Sequence, residues 1–409
     1  MNERKTVLAL GWVSFFMDVS SEMIYPLLPV FLSSLGAGSI AIGFVAGLSE
    51  STASFFRVIS GFISDRLKRR KAAILFGYGL STLARPILAL SAGWGHVLGF
   101  RLIDRAGKGV RTPPRDALIA EATSSDRYGR SYGIQRAMDT AGAVLGPALA
   151  TWFLALGMGY RHVFWISLIP AAVAVAVIQI FVRERGARAP RVAPMGPPHE
   201  RSASEHVRGN RRQDPSRVAA GPRYSRELKL FLLVTAVFSL GNSSNFFLVL
   251  RAKNLHIEDN LIPLLYMTMN IMYALLSYPA GRLADRFGKA RIAFLGYLLY
   301  AALYALFALE TRRSALWILF PLQGIYLAFT DGVGTAYMAT LLPGERKATG
   351  FAIYYTVMGL ALLPASTFGG WLWERYSPSA TFIAGSLFSL AAGVLFGVTL
   401  LPAHHSRKI

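Results

Sequence analysis

Apolar positions in this chain come in long unbroken runs, with neither the two-residue alternation of a half-buried strand nor the single stripe of a soluble helix. About twelve runs stand out, at roughly 8–34, 39–62, 72–93, 95–117, 131–155, 161–183, 228–250, 260–283, 291–309, 314–341, 348–372 and 379–402. A helix needs roughly 20 such residues to cross about 30 Å of hydrocarbon, so each run predicts a membrane span. Polar residues gather in the gaps. Two gaps, 220 residues apart, carry nearly the same message: Gly61-Phe-Ile-Ser-Asp65-Arg66-Leu-Lys68-Arg-Arg-Lys71 and Gly281-Arg-Leu-Ala-Asp285-Arg286-Phe-Gly288-Lys289. A charged hairpin repeated between apolar helices predicts a duplicated membrane protein, an architecture typical of transport. The first run holds Asp18 and Glu22 and no small-residue cleavage site, so it reads as a span and not as a signal peptide.

The two halves correspond beyond the hairpins. Ser20-Ser21-Glu22 in the first span answers Ser243-Ser244-Asn245 in the seventh. Glu50 in the second answers Asn270 in the eighth, and Gly133 and Pro147 in the fifth answer Gly350 and Pro364 in the eleventh. The amino-terminal half therefore keeps carboxylates where the other half has amides. Between the halves the chain changes character. Residues 186–226 are rich in Arg, Pro, Gly and Ser, which predicts a disordered basic linker lying against anionic headgroups. The expected division is residues 1–185, the linker 186–226, and residues 227–409.

Composition agrees: 53% of the 409 residues are hydrophobic and 16% charged, against about a quarter charged in a soluble domain. The net charge of +21 raises nucleic acid as a partner, but the basic residues alternate from loop to loop. That is the positive-inside pattern, and it predicts both termini in the cytoplasm and no nucleic-acid partner. Without a cysteine the chain has no disulfide framework and no thiolate metal site.

Charged groups inside the spans are the candidate chemistry. A carboxylate at mid-membrane costs at least about 2.5–3.5 kcal/mol on insertion scales, so it must face a cavity, a cation or a proton. Asp18 and Glu22 are one turn apart and share a face with Tyr25. Glu22 is the first candidate for a proton carrier and Asp18 the second; permanent pairing with a basic residue is the structural alternative. Glu50 faces either the cavity or a helix contact. Arg101, Asp104 and Arg105 share the fourth span, where an arginine that moves relative to a carboxylate would move a proton, unless Asp104 merely pairs with Arg101 or Arg105. Arg136 and Asp139 either pair along one turn or let Asp139 answer the fourth span. Asn242, Asn245, Phe246, Tyr266, Asn270, Tyr273 and Asp331 are expected to line a central cavity together with Tyr25, Glu50, Arg101 and Asp139. Aromatic rings, amides and a few acids suit an amphiphilic molecule, a cation among the options.

With these residues in place, the chain resembles the major facilitator superfamily over its whole length except the linker. The family's hairpin signature Gly-x-Leu-Ala-Asp-Arg-x-Gly-Arg-Lys is matched closely by 281–289, and by 61–71 at Gly61, Asp65, Arg66 and the basic tail. Lys68 stands where the signature has its second Gly. The span 5 signature of family antiporters is matched by Gly133, Gly142, Gly146 and Pro147, while Ala150 and Thr151 replace its final glycines. The segment 105–109, Arg-Ala-Gly-Lys-Gly, is similar to the family's Arg-x-x-Gln-Gly, with Lys108 for Gln, and Pro26 and Pro29 are similar to its span 1 prolines. The resemblance implies an all-α fold of twelve transmembrane helices in two pseudo-symmetric six-helix bundles. It implies transport by alternating access, most like the twelve-span drug:proton antiporters. Asp65 and Asp285, with Gly61, Arg66, Gly281 and Arg286, would then gate the cytoplasmic side; Arg105 would take part in proton transfer; the span 5 glycines would seal against proton leak.

The expected function is proton-coupled efflux of a small amphiphilic organic molecule by a monomer in the inner membrane of a prokaryote, needing no cofactor and no bound metal. Two alternatives share the fold. One is transport of a metal or metal complex, prompted by Met267, Met269, Met272 and His404-His405. The other is proton-driven nutrient uptake, against which the span 5 motif argues. No nucleophile–base set, phosphate loop or closed metal site points to an enzyme.

Overall fold

The computed structural model describes residues 3–67, 70–123, 128–182, 225–342 and 347–401. Every regular element among them is helical. The first span is α1 (Glu3–Ile24), a 3-10 turn at Tyr25–Leu27, and α2 (Leu28–Ser34). Then come α3 (Ser39–Leu67), α4 (Arg70–Leu83) with α5 (Arg85–Ala89), α6 (Trp94–Ala122), α7 (Tyr128–Ala155) and α8 (Tyr160–Phe181). The second half opens with α9 (Arg226–Gly241) and α10 (Phe246–Asn254), followed by α11 (Ile262–Phe287), α12 (Lys289–Leu309), α13 (Leu316–Leu341), α14 (Lys347–Arg375) and α15 (Pro378–Thr399). Counting the broken rods once gives twelve spans in two bundles of six. Within each bundle short connections make successive spans antiparallel. The side where α1 begins is called the near face, and the side holding the turn between α2 and α3 the far face.

The duplication shows in the packing. In the first bundle α1 packs on α7 and α8, α3 on α6, and α4 on α8. In the second, α9 packs on α14 and α15, α11 on α13, and α12 on α15, the same pairs one repeat later. The bundles meet along α3 against α14 and α7 against α11. The far half of the first seam is glycine-lined: a Cβ on Gly47 would lie 2.7 Å from the Leu363 Cα. Lower down, the Ser51 hydroxyl donates to the Gly359 carbonyl at 2.6 Å.

Eight rods are long and apolar enough to cross a membrane on hydropathy alone. The other four, α6, α7, α11 and α14, carry polar groups that point inward. Arg101, Asp104, Arg105 and Arg111 of α6 are all buried in protein. The outer surface instead presents apolar side chains such as Ile169, Leu309, Ile318 and Val398. This is the distribution a hydrocarbon solvent selects, because an unpaired charge costs far more in lipid than inside a bundle.

The first and seventh spans break at matching depths. Pro26 and Pro29 interrupt the first. The second break, at Asn242–Asn245, frees backbone groups that find partners: the Gly241 carbonyl accepts from the Tyr300 hydroxyl at 3.2 Å, and the Ser244 N–H donates to the Ser366 hydroxyl at 3.1 Å. Gly288 alone joins α11 to α12 at φ +101°, in the left-handed half of the map where a Cβ is strained. The equivalent position 68, a lysine, lies outside the described residues, as does all of 183–224, including most of the expected linker.

Candidate functional site

A cavity of about 880 Å³ lies between the two bundles. Its upper wall holds Glu50 and Asn242, its flanks Arg57, Arg136, Tyr273, Tyr326, Asp331 and Tyr355, and its mouth Gly281, Asp285 and Lys289. The mouth sits at the hairpin between α11 and α12, so the cavity opens to the near face.

The far face is shut. Tyr25, at the break of the first span, packs on Phe246 at 5.1 Å and on Tyr266 at 5.4 Å between ring centroids. The Arg101 guanidinium covers both the Tyr25 and the Phe246 rings at 5.6 Å. This plug forms because each broken span turns an aromatic residue inward where its helix restarts. Above it the bundles are tied twice more. The Tyr160 hydroxyl donates to Asp259, which also pairs with Lys253. The Ile40 N–H, in the first turn of α3, donates to the Glu374 carboxylate at 3.2 Å. Glu374 comes from the end of α14, so one bundle supplies the anion for a helix N-terminus of the other.

Below the plug lies a chain of charges. The Glu50 Oε1 of α3 is 3.4 Å from Arg101 Nη2 and 3.4 Å from Arg105 Nε, both on α6. Arg105 is also 3.8 Å from Asp104. Arg85, fully buried in the first bundle, lies within the field of Asp104 and donates to the Ser20 carbonyl at 3.3 Å and the Ser167 hydroxyl at 3.4 Å. The sequence offered a signal for Arg85 that went unused, an arginine between two apolar runs of the third span.

Asp18 and Glu22 face α7. A Cβ on Gly142 would lie 3.0 Å from the Asp18 Cβ, and one on Gly146 would lie 2.9 Å from the Glu22 Cβ. The two glycines and the two acids form a matched pair of one-turn steps, so the span 5 motif makes room for the acidic face of span 1. Neither acid stands in an ion pair among the described residues, and one buried oxygen of Glu22 has no hydrogen-bond partner. Glu22 nevertheless lies within the field of Asp18, Lys108, Arg105 and Arg101. Gly133 has open space around it, and so do Gly61 and Gly281.

Of the residues expected to line the cavity, Glu50, Asn242, Tyr273 and Asp331 do so. Tyr25, Phe246, Tyr266 and Arg101 form the plug instead. The Asn270 amide donates to the Ala143 carbonyl at 3.0 Å and clamps α11 to α7. Asn245 stands at the start of α10. Arg136 reaches across the bundle interface to the Tyr273 ring and hydroxyl, while its turn neighbour Asp139 accepts from Gln135 at 2.9 Å. Asp104 pairs with Arg105, as one alternative had it. At the mouth Asp285 is exposed and pairs with Lys289 at 3.5 Å, and Arg286 lies over Phe287. Asp65 and Arg66 lie near the end of α3; their side chains are outside what is described. Arg57, Arg85, Asp259 and Glu374 were not anticipated; Arg57 could have been, standing two turns from Glu50 on one face of α3. Among the described residues no group of three His, Asp or Glu side chains assembles as a metal site, and Met269 is packed into the core.

Comparison with known proteins gives one consistent picture. The family model described as the Major Facilitator Superfamily matches residues 10–213 and 230–409. An uncharacterized MFS-type transporter of Methanocaldococcus jannaschii is 36% identical over 398 residues, covering 96% of this chain and 94% of its own. A multi-drug resistance efflux pump PmrA homolog of Lactococcus lactis is 24% identical over 416 residues, covering 95% and 94%. Among solved structures, a crystallised variant of the nucleoside transporter NupG superposes with a TM-score of 0.76 at 13% identity, covering 97% of this chain and 100% of that one. At that identity the likeness is one of fold.

Proposed function

Because the chain belongs to the Major Facilitator Superfamily, we propose that it exports a small amphiphilic organic molecule in exchange for protons. That it is a membrane transporter of small molecules follows from the family; the direction and the coupling are the proposal. The observation that carries it is the seat of Glu22. Its side chain is half-buried beside α7, keeps one buried carboxyl oxygen without a partner, and lies within the field of two arginines to which it is not bonded. A carboxyl held this way changes its proton when the bundles move, because the movement changes its access to water. Asp18, one turn away, and the Asp104–Arg105 pair on α6 complete the relay.

In this reading the near-face cavity is the loading state, with both termini in the cytoplasm of a prokaryotic cell and the protein acting as a monomer in the inner membrane. Substrate enters between the bundles and the mouth closes. The plug at Tyr25, Phe246 and Arg101 then opens with the ties at Asp259 and Glu374. Protons arriving from outside favour return. The span 5 glycines hold α7 tight against α1, which denies water a path past the acids. The efflux named for the Lactococcus lactis relative supports the direction.

The test uses everted membrane vesicles energised by respiration, with ethidium and carboxyfluorescein as dyes of opposite charge. The wild-type chain accumulates one of them, and a protonophore abolishes the accumulation. Glu22→Gln, at normal expression, loses gradient-driven accumulation. Accumulation that survives the protonophore sinks proton coupling, and an unimpaired Glu22→Gln removes Glu22 from the mechanism.

A further inference from the structure

The upper wall of the cavity holds more positive charge than its carboxylates occupy. Glu50 turns a third of its side-chain surface to the cavity, whereas Arg101 and Arg105 behind it are 3% and 7% exposed. Both arginines reach the same carboxylate oxygen at 3.4 Å, a long approach for a charged pair. The Nε of Arg101 is buried without a hydrogen-bond partner, and that of Arg105 has only its long ion-pair contacts to Glu50 and Asp104. Arg57 lines the cavity two turns along α3 from Glu50, its guanidinium 5.8 Å from the centre of the Tyr355 ring. Its Nε is also buried and unpartnered, and it makes no ion pair among the described residues. Three guanidinium groups thus lie along α3 and α6, where Glu50 is the one carboxylate turned to the cavity; Asp331 and Asp285 line its flank and mouth from the other bundle.

An unpaired buried donor costs about 1–3 kcal/mol, more when charged, so the Nε groups of Arg57 and Arg101 favour a ligand that fills them. Planar guanidinium forks match carboxylate, phosphonate and sulfonate groups. The opposite flank offers the rings of Tyr273 and Tyr326 for an apolar body.

Resting on the reading of this cavity as the transport site, we propose that its upper wall is an anion subsite and that the substrate is an amphiphilic organic anion. The acidic group docks on Arg57 and on the fork of Arg101 and Arg105. Glu50 is the resident carboxylate that holds the fork when the site is empty and competes with the incoming anion. Loading then releases Glu50 from the α3–α6 ion pairs at the moment the substrate neutralises the arginines. A cationic substrate would have to meet Glu50 in front of two unreleased arginines and beside a third.

Equilibrium binding to the full chain in detergent tests this without a gradient, so its failure leaves proton coupling standing, and loss of coupling in vesicles leaves the binding result standing. The probes are 2-naphthoate, 2-naphthamide and 2-naphthylmethylammonium, one ring system with three charges. The wild-type protein binds naphthoate most tightly. Glu50→Gln removes the competitor at constant size and tightens naphthoate roughly tenfold, without tightening the ammonium. Arg57→Gln, which has no ion pair to lose, weakens naphthoate at least about fivefold and leaves naphthamide unchanged. It carries the test if Glu50→Gln does not yield monodisperse protein. The proposal is overturned if the ammonium binds better than naphthoate, if no probe binds, or if either variant leaves naphthoate affinity at the wild-type value.

Discussion

Replacing the glycines of α7 one at a time by alanine should move stability in opposite directions within a single motif. An added Cβ at Gly146 would stand 2.6 Å from the Val19 carbonyl oxygen, 2.9 Å from the Glu22 Cβ and 2.9 Å from the Met23 nitrogen. At Gly142 it would meet the Phe15 oxygen at 2.6 Å and the Asp18 Cβ at 3.0 Å. Optimal carbon contacts lie near 3.5–4.0 Å, so α1 must retreat by roughly half an ångström or more. The obstacles are backbone atoms and Cβ atoms, which no rotamer change can move aside. Overpacking of this kind costs about 1–3 kcal/mol. At Gly133 nothing lies within 4 Å. There alanine adds helix propensity without a clash, which favours the folded state by about 0.5–1 kcal/mol. Thermal unfolding of the purified protein in one detergent, read by tryptophan fluorescence, ranks the variants. The expected order is Gly133→Ala above wild type, with Gly142→Ala and Gly146→Ala below it. Because Gly146→Ala pushes directly on the Glu22 Cβ, gradient-driven transport should fall further in that variant than its stability loss accounts for. If Gly133→Ala and Gly146→Ala shift the transition in the same direction, the seat of the two acids on α7 is misassigned.

Three further outcomes follow from the same geometry. Glu374→Gln and Asp259→Asn each weaken a tie between the bundles on the far face, so the outward-open population rises. Since the chain has no cysteine, a single Phe246→Cys can report this: a membrane-impermeant maleimide should label it from the far side several-fold faster in the tie variants, and an unchanged rate removes the ties from the gate. Gly288→Ala puts a Cβ at φ +101° and should cost about 1–2 kcal/mol, seen as a lower unfolding temperature with the dye-transport profile retained; no loss would mean the hairpin relaxes freely. Arg85→Met removes the buried hydrogen bonds to the Ser20 carbonyl and the Ser167 hydroxyl. It should destabilise the first bundle by about 1–3 kcal/mol, and an Arg85→Lys variant should recover part of that in the same melt.

The twelve spans, their pairing into repeats and the position of each hairpin were legible in the amino-acid order. Hydrocarbon is a severe solvent that tolerates few residue types, and it writes its thickness directly into run length. The breaks in the first and seventh spans were not read from the amino-acid order, although Pro26 and Pro29 mark the first of them. Glu50, Asn242, Tyr273 and Asp331, four of the residues named from the sequence, lie on the wall of the cavity between the bundles. Which acids meet which cations was decided only by the tertiary packing. Arg101 and Arg105 lie one turn apart on α6, and nothing local says that both turn to Glu50 on α3 and leave Glu22 on α1 unbonded. Arg136 and Asp139, one turn apart, suggested a local pair, yet the arginine crosses to Tyr273 because the α7–α11 seam brings that ring within reach. Helical spacing fixes neighbours on one rod, whereas a site between rods depends on how close two backbones come. That approach is set by glycines such as Gly142, Gly146 and Gly47, whose effect lies in the shape of the helix opposite.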